Sequence, residues 1–282
     1  MEPYSVLMSL YAKEKPEFLS LAIDSMVNQT VKPEQIIIVE DGPLNDSLDM
    51  VVEKYVESDP GLFTIIKKEQ NLGLGLALND GLLAARNELV ARMDTDDISV
   101  LNRCERQLKV FESDNGLSIV GSWVDEFCET IDNVVSTRIV PENNRDIYEF
   151  SKKRSAFNHP VVMYKKSSVL EAGGYSDLRR NQDIDLFGRM LFKGYKAYNI
   201  QESLLYFRTN LGLAKRRKSW ENTKSYIKTI KRFWKIGYSS FSDYITVLFC
   251  QMVLFLMPAR LQSWFYKRFL RSKNVRKNNK EN

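Results

Sequence analysis

The sequence of 282 residues predicts an α/β fold, a mostly parallel central sheet flanked by helices, followed by a basic helical tail. Three observations carry that expectation. Short apolar runs alternate four times with segments of helical periodicity in the first third of the chain. The second run, residues 36–40, reads Ile-Ile-Ile-Val-Glu, the continuous apolarity of a strand buried on both faces of a parallel sheet. Acidic residues follow two of the runs, at Asp41 and Asp94, and open α/β sheets bind ligands at the carboxyl ends of their strands.

The elements follow in order. Tyr4–Leu10 alternates β-prone residues and reads as the first strand. Pro16 opens a helix with Leu19, Ala22, Ile23 and Met26 on its apolar face; proline suits a first helical position, where its missing N–H is not needed. Leu48, Val51, Val52, Tyr55 and Val56 mark a second helix, 63–66 a third strand, 74–85 a third helix and Leu89–Met93 a fourth strand. Next come a helix with Leu101, Cys104, Leu108 and Phe111 on one face and a strand at 117–121. From 123 to 158 the pattern weakens. Residues 160–163 read as a strand, Gly173-Gly174 as a turn, and 183–193 as a helix closed by Gly194, with Ile184, Phe187 and Leu191 inward. Residues 195–200 and 204–207 are β-like.

The net charge of +5 conceals a division. Residues 211–282 hold 17 Lys and Arg against three acids, net +14, which leaves net −9 on residues 1–210. An acidic body needs a metal or local cations to handle an anionic ligand, whereas a basic tail suits anionic surfaces. The start, MEPYSVLMSLYAKEK, lacks the basic and apolar regions of a secretory signal, and Cys104, Cys128 and Cys250 are too widely spaced for a disulfide framework or a zinc site. A reducing cytoplasm is the expected compartment.

The stretch VARMDTDDIS, 90–99, organises the chemistry. Three carboxylates at a strand end repel one another unless a cation compensates them. On an extended chain Asp94 and Asp96 point to one face, so both reach a single hard divalent ion, which prefers oxygen ligands. The alternative is an acidic helix start capped by Asp97 or Ser99. Gly73-x-Gly75 is a poor dinucleotide fingerprint, because residue 78 is Leu and the segment follows the third strand rather than the first.

Taken in order, SVLMSLY, IIIVEDG, QNLGLGLALNDG, ARMDTDD and GGYSDLRRNQDIDLFGRML resemble the family 2 glycosyltransferases over residues 4 to about 208. The resemblance implies a GT-A fold as a catalytic domain over 1–210, a nucleotide-diphosphate-sugar donor, a divalent metal (Mn2+ or Mg2+) and inversion at the anomeric carbon. Within the family the chain is similar to bacterial enzymes that assemble exopolysaccharide or O-antigen repeat units on a lipid carrier. Departures from the family pattern are Ser9-Leu10-Tyr11-Ala12 after the first strand, Gln182-Asp183 for Glu-Asp, and Leu78 for Arg; they bear on base contacts and the donor sugar more than on reaction type.

By that resemblance Asp94, Asp96 and Asp97 form the metal set, Asp96 foremost, with Asp94 and Thr95 also facing the donor. Asp41 takes the base, Glu40 stands where the family often has Asp, and Leu10 and Tyr11 line the nucleobase pocket, Tyr11 by stacking or else as core packing. Asn71, Gly73 and Asn79 are further donor contacts. Arg92, on the Asp94 strand face, neutralises a phosphate or carboxylate, or forms a surface ion pair. Inverting transfer needs a general base for the acceptor hydroxyl, and Asp183 is assigned to it, at a helix start whose positive end favours the carboxylate. Asp185, roughly 200° further round the helix, should face elsewhere. His159 and Gln182 are assigned to the acceptor or a phosphate, a structural hydrogen-bonded role for His159 remaining open.

The run 244–259 is nearly all apolar but short for a membrane span of about 20 residues. It lies between Lys215, Arg216, Arg217 and Lys218 on one side and Arg260, Lys267, Arg268, Arg271 and Lys273 on the other, with Trp264, Phe265 and Tyr266 interleaved. This pattern suits an anionic membrane surface; a helical hairpin capping the body is the alternative. The expectation is a UDP-sugar donor, a lipid-linked oligosaccharide acceptor, no nucleic acid, and a peripheral place on the cytoplasmic face of the bacterial plasma membrane.

Overall fold

In the computed structural model, which describes residues 1–209, 219–258 and 261, strand β1 (Tyr4–Leu10) runs between β2 (Gln35–Glu40) and β4 (Leu89–Met93), parallel to both. β3 (Phe63–Lys67) extends this parallel half beyond β2. Alternate side chains of these strands enter two cores. Tyr4, Val6, Met8 and Leu10 join Leu19, Ile23 and Met26 of α1 (Pro16–Val27), Leu48 of α2 (Asp46–Ser58) and Leu108 of α4 (Arg103–Ser113). Leu7, Ile37 and Val39 join Ala77, Leu78 and Leu82 of α3 (Leu74–Ala84) on the other face. Full burial of a Leu, Ile or Met side chain is worth roughly 1.5–3 kcal/mol, so α1 is held by its inward face.

Beyond β4 the sheet becomes mixed. β4 pairs antiparallel with β8 (Met163–Lys165), which leads into α6 (Lys166–Glu171), and β8 pairs antiparallel with β6 (Leu117–Phe127). β6 lies parallel to β9 (Lys196–Arg208), and β5 (Ile98–Ser99) pairs with the end of β9. β7 (Val134–Arg138) branches from β6, giving nine strands among the described residues. The β5–β9 pairing, Ile98 opposite Tyr206, brings the chain just past β4 onto the far end of the sheet.

Several expectations are corrected here. Leu101 precedes α4 and is 59% exposed, because that helix starts at Arg103 and turns Arg103 and Gln107 inward with Cys104 and Leu108. The strand expected at 160–163 is a 3-10 turn, His159–Val161, ahead of β8; Pro160 has no N–H for a ladder. β6 runs on through Phe127, and its buried Asp125 and Glu126 accept hydrogen bonds from Thr137, Ser203 and Ser136. The two late strands are one, β9, with a register shift where Ser203 meets Trp123.

α7 (Gln182–Phe192) and α5 (Asn144–Ser151) carry a helical hairpin, α8 (Trp220–Lys235) and α9 (Phe241–Leu256). Phe233 and Ile230 of α8 are fully buried in the second core. A Cβ on Gly188 would lie 2.1 Å from Phe233 Cζ, so only glycine lets the ring seat on α7. Arg232 donates to buried Asp185 at 2.8 Å, and Ser240 and Asp243 form a capping box at the start of α9. The helices α8 and α9 therefore pack as a hairpin on the body, as the hairpin alternative has it. α9 leaves Phe241, Ile245, Phe249, Val253 and Leu256 exposed. The basic clusters at 215–218 and beyond 259, Trp264, Phe265, Tyr266 and the domain boundary at 210–211 lie outside the described residues.

Candidate active site

Because β2, β1 and β4 are neighbours running the same way, the residues after them, Asp41, Tyr11 and Asp94, emerge side by side at one edge. Asp94, Asp96 and Asp97 each offer a carboxylate oxygen within 4.8 Å of the others. Burial, then the charges of Asp94 and Glu14, push the Asp96 carboxyl up to about 7. Burial, then Asp96 and Asp94, hold Asp97 well above the carboxylate range. Asp97 Oδ1 accepts the backbone N–H of Arg208 at 2.8 Å, while its buried Oδ2 has no hydrogen-bond partner. Crowded oxygens with one orphaned in the interior fit a hard divalent ion, and Asp94 and Asp96 are the members open to a ligand.

Arg92 does not reach the cleft. Its side chain has 0% exposure and is ion-paired to Asp94 Oδ1, with Nε and Nη2 lacking hydrogen-bond partners. Of the roles expected for Arg92, the neutralising of a carboxylate is the one seen, on Asp94, and the surface ion pair gives way to a buried one. Two fully buried side chains on α4 brace that strand end: Arg103 donates to the Arg92 carbonyl at 2.6 Å, and Gln107 to those of Val120 and Val161.

Other expected donor residues divide into those at the cleft and those behind it. Tyr11 is 37% exposed and available for stacking, whereas the Leu10 side chain lies in the core and its carbonyl accepts the Asp41 N–H at 2.7 Å. Both Asp41 oxygens hold the loop ahead of α3, accepting from Leu72 N at 2.8 Å and Gly73 N at 2.9 Å, while Asn71 Nδ2 reaches the Asp41 carbonyl at 3.0 Å. Gly73 has φ +100°, the left-handed region that suits glycine. Glu40 is buried beside Lys67, 3.5 Å away, and burial raises its carboxyl. Thr95 donates to Glu14 at 3.0 Å. The Asn79 amide exchanges two bonds of 2.8 Å with the Tyr175 backbone, so its role is to tie α3 to the Gly173-Gly174 turn rather than to hold a donor.

Asp183 stands in the first turn of α7 and in the wall of a cleft of about 620 Å³ shared with Arg138, Asn181 and Tyr226. Burial raises its carboxyl, opposed by the N–H groups of Ile184 and of its own residue and by the charges of Arg138 and Arg92. Arg92 also lowers Asp96, so one buried cation acts on both carboxylates. Asp185 faces away, as expected, bonded to Arg189 at 2.9 Å and to Arg232. Gln182 is buried and packs on Gly75, whose added Cβ would meet Gln182 Cγ at 3.4 Å. His159 Nε2 and the Tyr175 hydroxyl lie 2.9 Å apart, and burial and then Arg92 hold the imidazole well below its ordinary range. The contact with Tyr175 is the structural hydrogen bond that the sequence left open for His159.

Sequence reasoning missed Glu14, Arg138, Tyr175 and Arg208. Each reaches the site across a large separation in sequence, and the signals they offered were a lone acid after the first strand and an arginine at the end of the last.

A family model described as Glycosyl transferase family 2 matches residues 5–172. An Escherichia coli protein named UDP-Gal:alpha-D-GlcNAc-diphosphoundecaprenol beta-1,3-galactosyltransferase is 35% identical over 271 residues, covering 95% of this chain and 96% of that one. The amylovoran biosynthesis glycosyltransferase AmsE of Erwinia amylovora is 32% identical, covering 94% and 98%. Among solved structures, the mannosyltransferase PcManGT of Pyrobaculum calidifontis in complex with GDP-Man and Mn2+ aligns with TM-score 0.65 at 16% identity, over 90% of this chain and 70% of that one. That likeness shows the GT-A fold.

Proposed function

We propose, from the premise that this chain belongs to glycosyl transferase family 2 and is a glycosyltransferase, that it transfers one sugar from a UDP-sugar, with inversion, to a lipid-linked saccharide of a bacterial surface polysaccharide. The galactosyltransferase named above acts on a sugar carried by diphosphoundecaprenol, and the match to it spans 95% of the present chain and 96% of that one. The single observation that carries the reading is the cluster of Asp94, Asp96 and Asp97 at the carboxyl end of β4, whose carboxylate oxygens lie within 4.8 Å of one another.

Asp94, Asp96 and Asp97 would hold Mn2+ or Mg2+, which supplies Lewis acidity toward a departing diphosphate. Arg92 holds Asp94 in place from inside the sheet through their ion pair. Tyr11 stacks on the base, and Asp41 fixes the loop beside it while keeping lone pairs for a ring N–H. Asp183 accepts the proton of the acceptor hydroxyl, and its burial brings its basicity nearer neutral pH, where a general base works best. Peripheral attachment to the cytoplasmic face of the membrane, through residues 211–282 and the exposed face of α9, completes the reading. Among the described residues no helix is long and apolar enough to cross a membrane.

The reading is tested by incubating an α-linked UDP-sugar with a lipid-linked saccharide and Mn2+ and determining the product by NMR. A β-linkage, abolished by chelation, is expected; a retained α-linkage or full activity in chelator would contradict it.

A further inference from the structure

Arg92 accounts for one carboxylate of the acidic cluster. Asp96 and Asp97 lie past the end of β4 and ahead of β5, where no strand ladder fixes them, yet their carboxylate oxygens meet that of Asp94 within 4.8 Å. A single residue at the end of β9 touches both. The backbone N–H of Arg208 donates to Asp97 Oδ1 at 2.8 Å, and its Nε donates to the Asp96 carbonyl, also at 2.8 Å. Its Nη1 donates to the carbonyl of Glu129 at 3.3 Å, in the turn between β6 and β7. The guanidinium carbon lies 3.8 Å from the ring centroid of Phe18 on α1 and 4.6 Å from that of Phe127 on β6. Arg208 is 7% exposed, so packing locks the side chain that meets the loop.

We propose that Arg208 is the positioning residue of the acidic loop: its side chain fixes the Asp96 carbonyl while its N–H fixes Asp97, so that both carboxylates turn toward the point Asp94 faces. The proposal rests on the reading of this cluster as a divalent-metal site. Contact with Phe18 and Phe127 alone asks only for an apolar side chain. The donors are explained by the two carbonyls they reach, one of which belongs to a cluster residue. Arginine suits the task because its planar head spreads its N–H groups in a rigid fork, so Nε and Nη1 bridge the loop after β4 to the turn after β6. Groups that must stay in a productive geometry need neighbours whose own rotamers are locked, and two rings and two carbonyls lock this one. Arg92 from inside the sheet and Arg208 from its far end thus divide the three aspartates between them.

Arg208→Lys keeps the backbone N–H and the positive charge but replaces the fork by one nitrogen that cannot span both carbonyls. Mn2+ binding to the full chain is measured directly, by the loss of the free-ion EPR signal as MnCl2 is added in the presence of UDP, against a blank of UDP alone. The Kd for Mn2+ should rise about 10–100-fold, the usual effect of losing a group that orients metal ligands, and kcat should return toward the parent value once Mn2+ saturates. Phe18→Leu is the milder variant, since Phe18 is half-buried and the arginine stays. It removes one ring from the guanidinium and should raise the Kd about 2- to 5-fold, the equivalent of one exposed cation–π contact. Where Arg208→Lys does not fold, Phe18→Leu decides alone. A lowered melting temperature with a parent-like Kd for Mn2+ would show a merely structural residue and overturn the proposal, leaving the metal reading in force. No uptake of Mn2+ by the parent beyond the blank would overturn both together.

Discussion

Arg92 and Asp94 are paired across the boundary of the sheet: the guanidinium has no exposed surface, and the carboxylate it holds is 30% exposed at the cleft. A buried cation without other hydrogen-bond partners costs free energy, so its place under Asp94 has to be offset by what it does for that carboxylate. It orients Asp94 beside Asp96 and Asp97.

Arg92→Met should therefore weaken metal activation without touching the donor directly. Residues that orient metal ligands typically change affinity by about 10–100-fold. The apparent metal constant should rise by that order in a Mn2+ titration of activity; an unchanged constant would sink the positioning role.

Asp96→Asn should have opposite effects on activity and on stability in chelator. Activity should be lost with the ligand. Because the folded carboxyl is raised to about 7, the native state binds more protons than the unfolded chain between the ordinary Asp range and pH 7, so stability falls as pH rises through that window. The neutral amide escapes this penalty. At pH 8 in EDTA the variant should melt higher, by about 2–4 °C for each 1 kcal/mol relieved; a lower melting temperature would show that the cluster is not under electrostatic strain.

Phe233→Ala should cost about 3–5 kcal/mol, the usual figure for an emptied aromatic site, because the ring is fully buried on Gly188. An unchanged melting temperature would mean that α8 is not part of the core. For the same reason, deleting residues 211–282 would unseat Ile230 and Phe233 as well as any membrane contact. Membrane attachment is better tested by Ile245→Asp with Leu256→Asp, both exposed: the protein should move to the soluble fraction with its melting temperature kept, and retention in the membrane fraction would refute the role of α9.

The parallel half was legible because β1 to β4 are short β-prone segments, β2 with the continuous apolar core Ile36–Val39, set between helical patterns, and α1 showed its four inward residues at helical spacing. Legibility ends at β6, where Asp125 and Glu126 are satisfied by Thr137, Ser203 and Ser136, pairings that no local pattern reveals. The site divides the same way. The Asp cluster and Asp183 could be read from short segments, but the burial of Arg92, the use of both Asp41 oxygens on the Leu72–Gly73 loop, and the seat of His159 on Tyr175 depend on contacts between distant parts of the chain. The Leu10 side chain lies in the core and the Asn79 amide is spent on the Tyr175 backbone, while Arg92 neutralises Asp94.

Turnover against pH gives an independent view of the base. Burial raises the Asp183 carboxyl, and a base works only when deprotonated, so kcat should fall on the acid side with a midpoint above the ordinary Asp value of about 3.9. A limb at that ordinary value would place the base elsewhere.

The most direct measurement is turnover and UDP binding in Asp183→Asn, side by side. UDP should still raise the melting temperature as in the parent, while kcat falls by roughly 100-fold to 10,000-fold, the usual loss on removing a general base. Undiminished turnover with UDP still bound would contradict the assignment of the acceptor proton to Asp183.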